Sequence, residues 1–264
     1  MEAGRKIGTD PIFALAENRV CPYFSHPVFA QVRPWLARLS HTGWPTHAAL
    51  NALAEEAEVR TASGMPLRFV QPSAADPYYE VHLYETGCVA TRSENWHDLF
   101  NALAWLAFPR IKAAINALHA AQIPREGGRR GRLRDMLTIF DEGGAIVACA
   151  DAQLVEMIRD FRWRELFWDC RERVLRHMRF AVLGHAVLEK ALAPWPGIAC
   201  KALFLEPGID QDAGAAEWLN AHATDGTPQL LAPLPIFGYP GWLAASARAD
   251  FYDDERYFRP FRKK

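Results

Sequence analysis

The most periodic stretch of the chain runs from Thr91 to His119. Trp96, Leu99, Phe100, Leu103, Leu106, Ala107, Ile111, Ala114 and Leu118 recur at helical spacing and cover most of a helical wheel. A helix apolar over that much of its circumference belongs inside the protein. Its polar positions, His97, Asp98, Asn101, Lys112, Asn116 and His119, fall in one narrow sector. Ser93 or Asn95 is the candidate N-cap, and Asp98 is an early acid that complements the helix dipole. Pro109 interrupts the pattern, because it lacks a backbone donor and kinks or splits a helix.

The remainder reads as helices and short strands in alternation. From Pro11 to about Gln71 the pattern is helical with proline punctuation: a helix over Val28 to Leu39, then Thr46 as N-cap of a helix from His47. Leu67 to Val70, bounded by Pro66 and Pro72, predicts a strand. Tyr79 to Glu85 alternates, with Tyr79, Val81 and Leu83 on one face, and predicts a half-buried strand. Leu137 to Phe140 and Ala145 to Ala148, joined by Asp141-Glu142-Gly143-Gly144, predict a β-hairpin. Asp151 caps a helix to about Phe161, and a charged helix spans Trp163 to Arg173. Val174 to Leu183 predicts a strand ended by Gly184, with a short helix from His185 to Ala193. Ala199 to Leu205 predicts a strand and Asp212 to His222 a helix, before a proline-rich irregular tail on the surface.

These elements predict an α+β fold in a single domain, 1–264, with a central buried helix packed on a small mixed or antiparallel sheet and further helices around it. Its parts are a helical N-terminal region (1–71), a central core (72–206) and a helix with an irregular C-terminal tail (207–264). The 264 residues are 50% hydrophobic, enough for a full-sized core. A formal net charge of -1 argues against a nucleic acid or membrane partner drawn by a global field. No run approaches the roughly 18 apolar residues of a membrane span, and the first residues lack the apolar centre of a signal peptide. The five cysteines, Cys21, Cys88, Cys149, Cys170 and Cys200, are scattered without a CxxC pair and read as reduced thiols of a cytoplasmic protein.

Composition of the polar sector changes the picture of the helix. A plain solvent face is written in Glu, Lys, Gln and Arg. Two His, two Asn, an Asp and a Lys are different: His and Asp move protons, while Asn and Lys orient or neutralise an anion. His97, Asp98 and Glu142 are the catalytic candidates. Arg92, Asn101, Lys112, Arg134, Asp141 and His185 are the candidate substrate-binding groups. His185 and Glu189, four apart on the short helix, place imidazole and carboxylate on one face. Adjacent acids at Asp141 and Glu142 could hold a divalent metal, although an Asp-Glu-Gly-Gly is more commonly a polar turn, and no metal motif accompanies it. Arg125, Arg129, Arg130, Arg132 and Arg134 cluster around Gly127 and Gly128, a loop able to grip phosphate or to sit in solvent. GxGxxG, Walker and GxSxG motifs are absent, which removes the Rossmann, P-loop and serine-hydrolase classes.

Thr91-Arg92, Asn95-Trp96-His97-Asp98, Asn101-Ala102-Leu103, Trp105-Leu106 and Phe108-Pro109 together resemble an uncharacterised bacterial domain-of-unknown-function family. Leu137-Thr138, Phe140-Asp141-Glu142, Gly184-His185-Ala186, Glu189-Lys190 and Phe251-Tyr252-Asp253-Asp254 fit the same pattern. The resemblance runs from about Tyr79 to the end. It implies a bacterial source and no particular activity.

Three functional readings follow from the residues. The first is a small cytosolic hydrolase or group transferase that acts on an anionic small molecule with His97 as acid or base. The second is a non-catalytic binding or adaptor protein that uses the arginine loop and the aromatic tail, Trp242, Phe251, Tyr252, Tyr257 and Phe258. In the third, the Asn-Trp-His-Asp set is a buried hydrogen-bond network that only specifies the fold.

Overall fold

The computed structural model describes residues 22–39, 43–73, 78–127 and 129–260. Cys21, the stretch from Pro11 to Val20 of the expected N-terminal helical region, and the last four residues of the tail lie outside them. The other four cysteines carry free thiols.

The centre is a four-stranded mixed sheet in the order β4-β3-β5-β6, made of β3 (Gly144–Cys149), β4 (Met178–Val182), β5 (Cys200–Leu205) and β6 (Ala232–Leu234). Strand β3 runs antiparallel to β4, with Val147 opposite Phe180, and parallel to β5, with Ala145 opposite Ala202. Every residue of β3 is buried, because both faces of the sheet are covered. That is why its sequence is a continuous apolar run without alternation. One face, through Ala145, Val147 and Val182, meets Leu99, Phe100 and Leu103 of α4 (Trp96–Ala107) in the larger core cluster. Ile146, Ala181 and Leu203 on the other face meet α5 (Pro109–Gln122), α6 (Arg132–Gly143) and α10 (Gln211–Ala221).

A second, two-stranded parallel sheet pairs β1 (Arg68–Val70) with β2 (Cys88–Ala90). The Asn51 amide of α2 (His47–Glu56) bonds both the N–H and the C=O of Phe69, and so satisfies the backbone of β1 on its unpaired side. Thr46 caps α2 and Asp151 caps α7 (Ala152–Arg159), as the sequence predicts. The Asp151 carboxylate is held in place by Arg173. The charged segment after Trp163 is a π-helical turn, Glu165–Asp169, followed by α8 (Arg171–His177), and the strand after it begins only at Met178.

Four expectations are corrected. Tyr79 to Glu85 is a helix, α3 (Tyr79–Thr86), ended by Gly87 in the left-handed region at φ 76° with its N–H on the Leu83 carbonyl. In so short a segment, Tyr79 and Leu83 satisfy an i, i+4 stripe as well as a period of two. The predicted hairpin is α6 running directly into β3. Leu133, Met136, Leu137 and Phe140 are its buried stripe, so Asp141-Glu142-Gly143 is the last turn of a helix. The helix over Val28 to Leu39 is reduced to a 3-10 turn, Pro27–Phe29, and the four-residue α1 (Arg33–Leu36) with Pro34 in its first turn. Finally, the C-terminal aromatics do not form a surface tail. Trp242, Tyr252, Tyr257 and Phe258 are buried, and the Tyr257 hydroxyl donates to the Ile198 carbonyl.

Candidate functional site

Asn95 caps α4 by accepting the Asp98 N–H at 3.0 Å, which makes it the N-cap rather than Ser93. Pro109 splits the long predicted helix. It occupies the first position of α5, where its missing N–H costs nothing. The next two donors of α5, the N–H groups of Arg110 and Ile111, are taken by the Asp212 carboxylate of α10. Although the helix is broken, the polar sector stays on one side. His97, Asp98 and Asn101 from α4 and Lys112, Asn116 and His119 from α5 all line one cavity of about 440 Å³. Glu80 of α3, Asp141 and Glu142 of α6, and His185 of α9 (His185–Lys190) face the same space.

A close backbone approach joins the last two elements. A Cβ on Gly184 would stand 2.7 Å from the Glu142 carbonyl oxygen and 2.8 Å from the Gly143 Cα, both backbone atoms that cannot swing aside. Glycine there lets the start of α9 touch the end of α6, and His185 then comes to rest beside Asp141.

Along one wall the polar groups form a line. The His97 Nδ1 is 3.0 Å from Glu189 Oε2, and its Nε2 is 3.1 Å from the Nε2 of His185. The His185 Nδ1 is 3.8 Å from Asp141 Oδ2 and makes no hydrogen bond. Asp141 takes a short hydrogen bond from the Lys112 ammonium, which also donates to Asn101 Oδ1 at 2.8 Å. Glu189 thus pairs with His97 across the interface of α4 and α9, not with His185 four residues before it. Since a carboxylate accepts only, the His97 Nδ1 carries a proton; with that one proton on the ring, Nε2 is an acceptor for the His185 N–H.

Burial dominates the electrostatics. It lowers the His185 ring to about 4, with Asp141 opposing and Lys112 adding to the shift. Burial likewise lowers His119 to about 4, helped by Arg134. Both rings are therefore neutral near pH 7. The Arg134 Nε donates to His119 Nδ1 at 3.2 Å, so the neutral His119 ring carries its proton on Nε2. Burial also works against the Asp141 charge, but the Lys112 ammonium outweighs it and holds the carboxyl below its ordinary range. Glu80 is pushed up by burial, against a hydrogen bond from the Asn116 amide at 2.7 Å.

Of the nine candidate residues, eight line the cavity: Arg92, His97, Asp98, Asn101, Lys112, Asp141, Glu142 and His185. Arg134 stands behind His119, paired with Glu126. Two of the eight differ from expectation in detail. Asp98 spends both oxygens on Arg92: Oδ2 takes the backbone N–H at 2.7 Å and Nε at 2.9 Å, and Oδ1 takes Nη2 at 2.8 Å. It holds the loop before α4 in place through these three bonds. Glu142 is exposed at the rim. Among the described residues no group of three or more His, Cys, Asp or Glu is arranged to hold a metal ion. Asp141, one half of the suggested metal pair, already faces an ammonium. Glu80 escaped the sequence reading because a strand at Tyr79 to Glu85 would turn it to the outer face, whereas α3 turns it inward onto Asn116.

The sequence model of one protein family, described as "Protein of unknown function (DUF3025)", matches residues 67–262. No curated protein and no solved structure matches the chain.

Proposed function

The chain belongs to the DUF3025 family of proteins of unknown function, and from its cavity we propose a small-molecule enzyme, a hydrolase or group transferase, that works by acid–base chemistry at the His97–His185 pair. One observation carries the proposal. Two imidazoles share a hydrogen bond, with Glu189 beyond one and Asp141 beyond the other, on the wall of a cavity sized for a small metabolite.

The pair has two hydrogen-bonded states that differ by one proton. In the first, His185 donates from Nε2 to a neutral His97, and the His185 Nδ1 lone pair faces Asp141. In the second, His97 is an imidazolium held by Glu189, its Nε2–H donates to His185, and the His185 Nδ1–H points to Asp141. The added proton is the substrate's, taken up at His97 Nε2, while the His185 proton leaves Nε2 and is replaced at Nδ1, so that the hydrogen bond between the rings reverses direction without ring rotation. His97, at 35% side-chain exposure, is the ring a substrate reaches, while His185, at 6%, is sealed behind it. His97 is the acid or base, and Glu189, His185 and Asp141 set its tautomer and store its charge.

Cost supports a functional reading over a purely structural one. Lys112, Asn116, His119 and His185 are all buried around a void. Apolar side chains filling the same space would stabilise the fold more, and perturbed ionisable groups concentrate at working sites. The cavity offers an anionic substrate no unpaired cation among the described residues. Arg92, Lys112 and Arg134 are each already matched by a carboxylate.

The test is turnover by purified protein on a panel of esters, amides and phosphoesters. His97→Ala is expected to slow the reaction by about 10²-fold or more with little change in melting temperature, since the side chain is partly exposed. An unchanged rate would remove His97 from the chemistry. Loss of folding in step with loss of rate would favour a structural network.

A further inference from the structure

Hydrogen-bonding capacity that the protein leaves unspent describes its ligand. Among the described residues, four carboxyl groups line the cavity, Glu80, Asp98, Asp141 and Glu142, against two cations, Arg92 and Lys112. Both cations are spent, the guanidinium on Asp98 and the ammonium on Asp141 and Asn101. Two buried side-chain atoms among the described residues have no hydrogen-bond partner, and both belong to residues lining this cavity: Asn116 Oδ1 and His185 Nδ1. The amide oxygen is an acceptor by its chemistry. Nδ1 is an acceptor in the tautomer that donates to a neutral His97. Glu142, at the rim, has no ion-pair partner among the described residues.

We infer that the occupant of this cavity is a small organic cation rich in N–H donors, an amine or a guanidine, whose charge is met by Glu80 and Glu142 and one of whose N–H groups is met by Asn116 Oδ1. Such a ligand supplies positive charge for the carboxyl groups left without an ion pair and a donor for Asn116 Oδ1. An anion would instead meet four carboxyl groups, with both cations of the described lining already paired. Asn116 already orients the Glu80 carboxylate through its amide N–H, so one residue presents the charge and the neutral acceptor side by side. Burial pushes the Glu80 carboxyl up, and a bound cation offsets that penalty, so the site gains most from a ligand that brings charge with it. Tyr79, partly exposed on the wall next to Glu80, adds an aromatic face on which a cation can rest.

This inference rests on the proposed function only in taking the cavity as the working site, and its test reads binding rather than turnover. Calorimetric titration with putrescine, agmatine and methylguanidinium, against succinate and inorganic phosphate, distinguishes the classes. At least one of the three cations is expected to bind, and neither anion. Glu80→Gln is expected to weaken the cation at least tenfold with the melting temperature retained. If that variant does not fold, Glu142→Gln at the exposed rim takes its place, with a loss of at least threefold. Binding of an anion more tightly than every cation, binding of none of the cations, or cation affinity unchanged in the variant would each overturn the inference. Anion binding alongside His97-dependent turnover would overturn the ligand class and leave the acid–base reading standing. Cation binding with turnover indifferent to His97 would do the reverse.

Discussion

Replacing Lys112 by alanine is expected to cost about 3–5 kcal/mol of stability. For a chain of this length that corresponds to a fall in melting temperature of roughly 10 °C. The side chain is 4% exposed, its ammonium donates to Asn101 and Asp141, and it lies 5.6 Å from the centroid of the Trp105 ring. Removing it leaves the Asp141 carboxylate in a low-dielectric pocket, facing two neutral imidazoles that cannot replace a full positive charge. The cost lies in the abandoned partner more than in the lost bond. A double change, Lys112→Met with Asp141→Leu, is therefore expected to recover most of the loss, because it removes both buried charges together. Chemical denaturation of the three proteins makes the comparison. A loss below about 1 kcal/mol for the single change would mean that the pair is solvated and worth no more than a surface ion pair.

The second large effect is acid lability over a defined window. His119 and His185 are held near 4 in the folded protein, against an ordinary value of 6.5. As pH falls through 6.5 the unfolded rings take up protons that the folded rings refuse. The unfolded state then binds more protons, and stability declines until the folded rings titrate near 4. The shift amounts to roughly 3 kcal/mol for each ring at the limit. His26, lowered by its own burial, acts in the same direction. Asp98 and Asp141 extend the loss to still lower pH, because their folded carboxyls are depressed and their stabilisation disappears as they protonate. Glu80 and Asp212, both pushed up by burial, act in the opposite sense. Comparing wild type with His119→Gln isolates one ring: the variant should show a shallower fall in melting temperature between pH 6.5 and 4. Parallel curves would place the His119 ring in solvent.

Much of the site was legible along the chain because helical periodicity survives an interruption that preserves direction. Lys112, Asn116 and His119 share the cavity with His97 and Asn101 although Pro109 divides them, since α5 resumes with its polar side still turned to the same space. Arg92, Asp141 and His185 stand out by residue type and by their place at element ends. Partnership was not legible. Nothing local indicates that Glu189 serves His97 and not His185, that Asp212 of α10 caps α5, or that Asp98 spends itself on Arg92. Those contacts depend on which helices lie side by side. Two secondary-structure errors had a single cause, a window too short to separate periods. Tyr79 to Glu85 satisfies both a strand and a helix, and Leu137 to Phe140 looks like a strand until Leu133 and Met136 are included. The first error hid Glu80, the acid on which the ligand proposal turns.

The buried aromatic tail removes the physical basis of an adaptor surface there, for Tyr252 and Tyr257 are committed to backbone carbonyls inside the protein. Long-range nitrogen–proton NMR of the imidazole rings reads their tautomers directly and needs no knowledge of the substrate. Near neutral pH His185 is expected to be protonated on Nε2 alone and His97 on Nδ1. When His97 gains a second proton, the His185 proton is expected to move to Nδ1 in the same transition. His185 found on Nδ1 while His97 is neutral, or the two rings changing independently, would contradict the coupled pair on which the proposed chemistry depends.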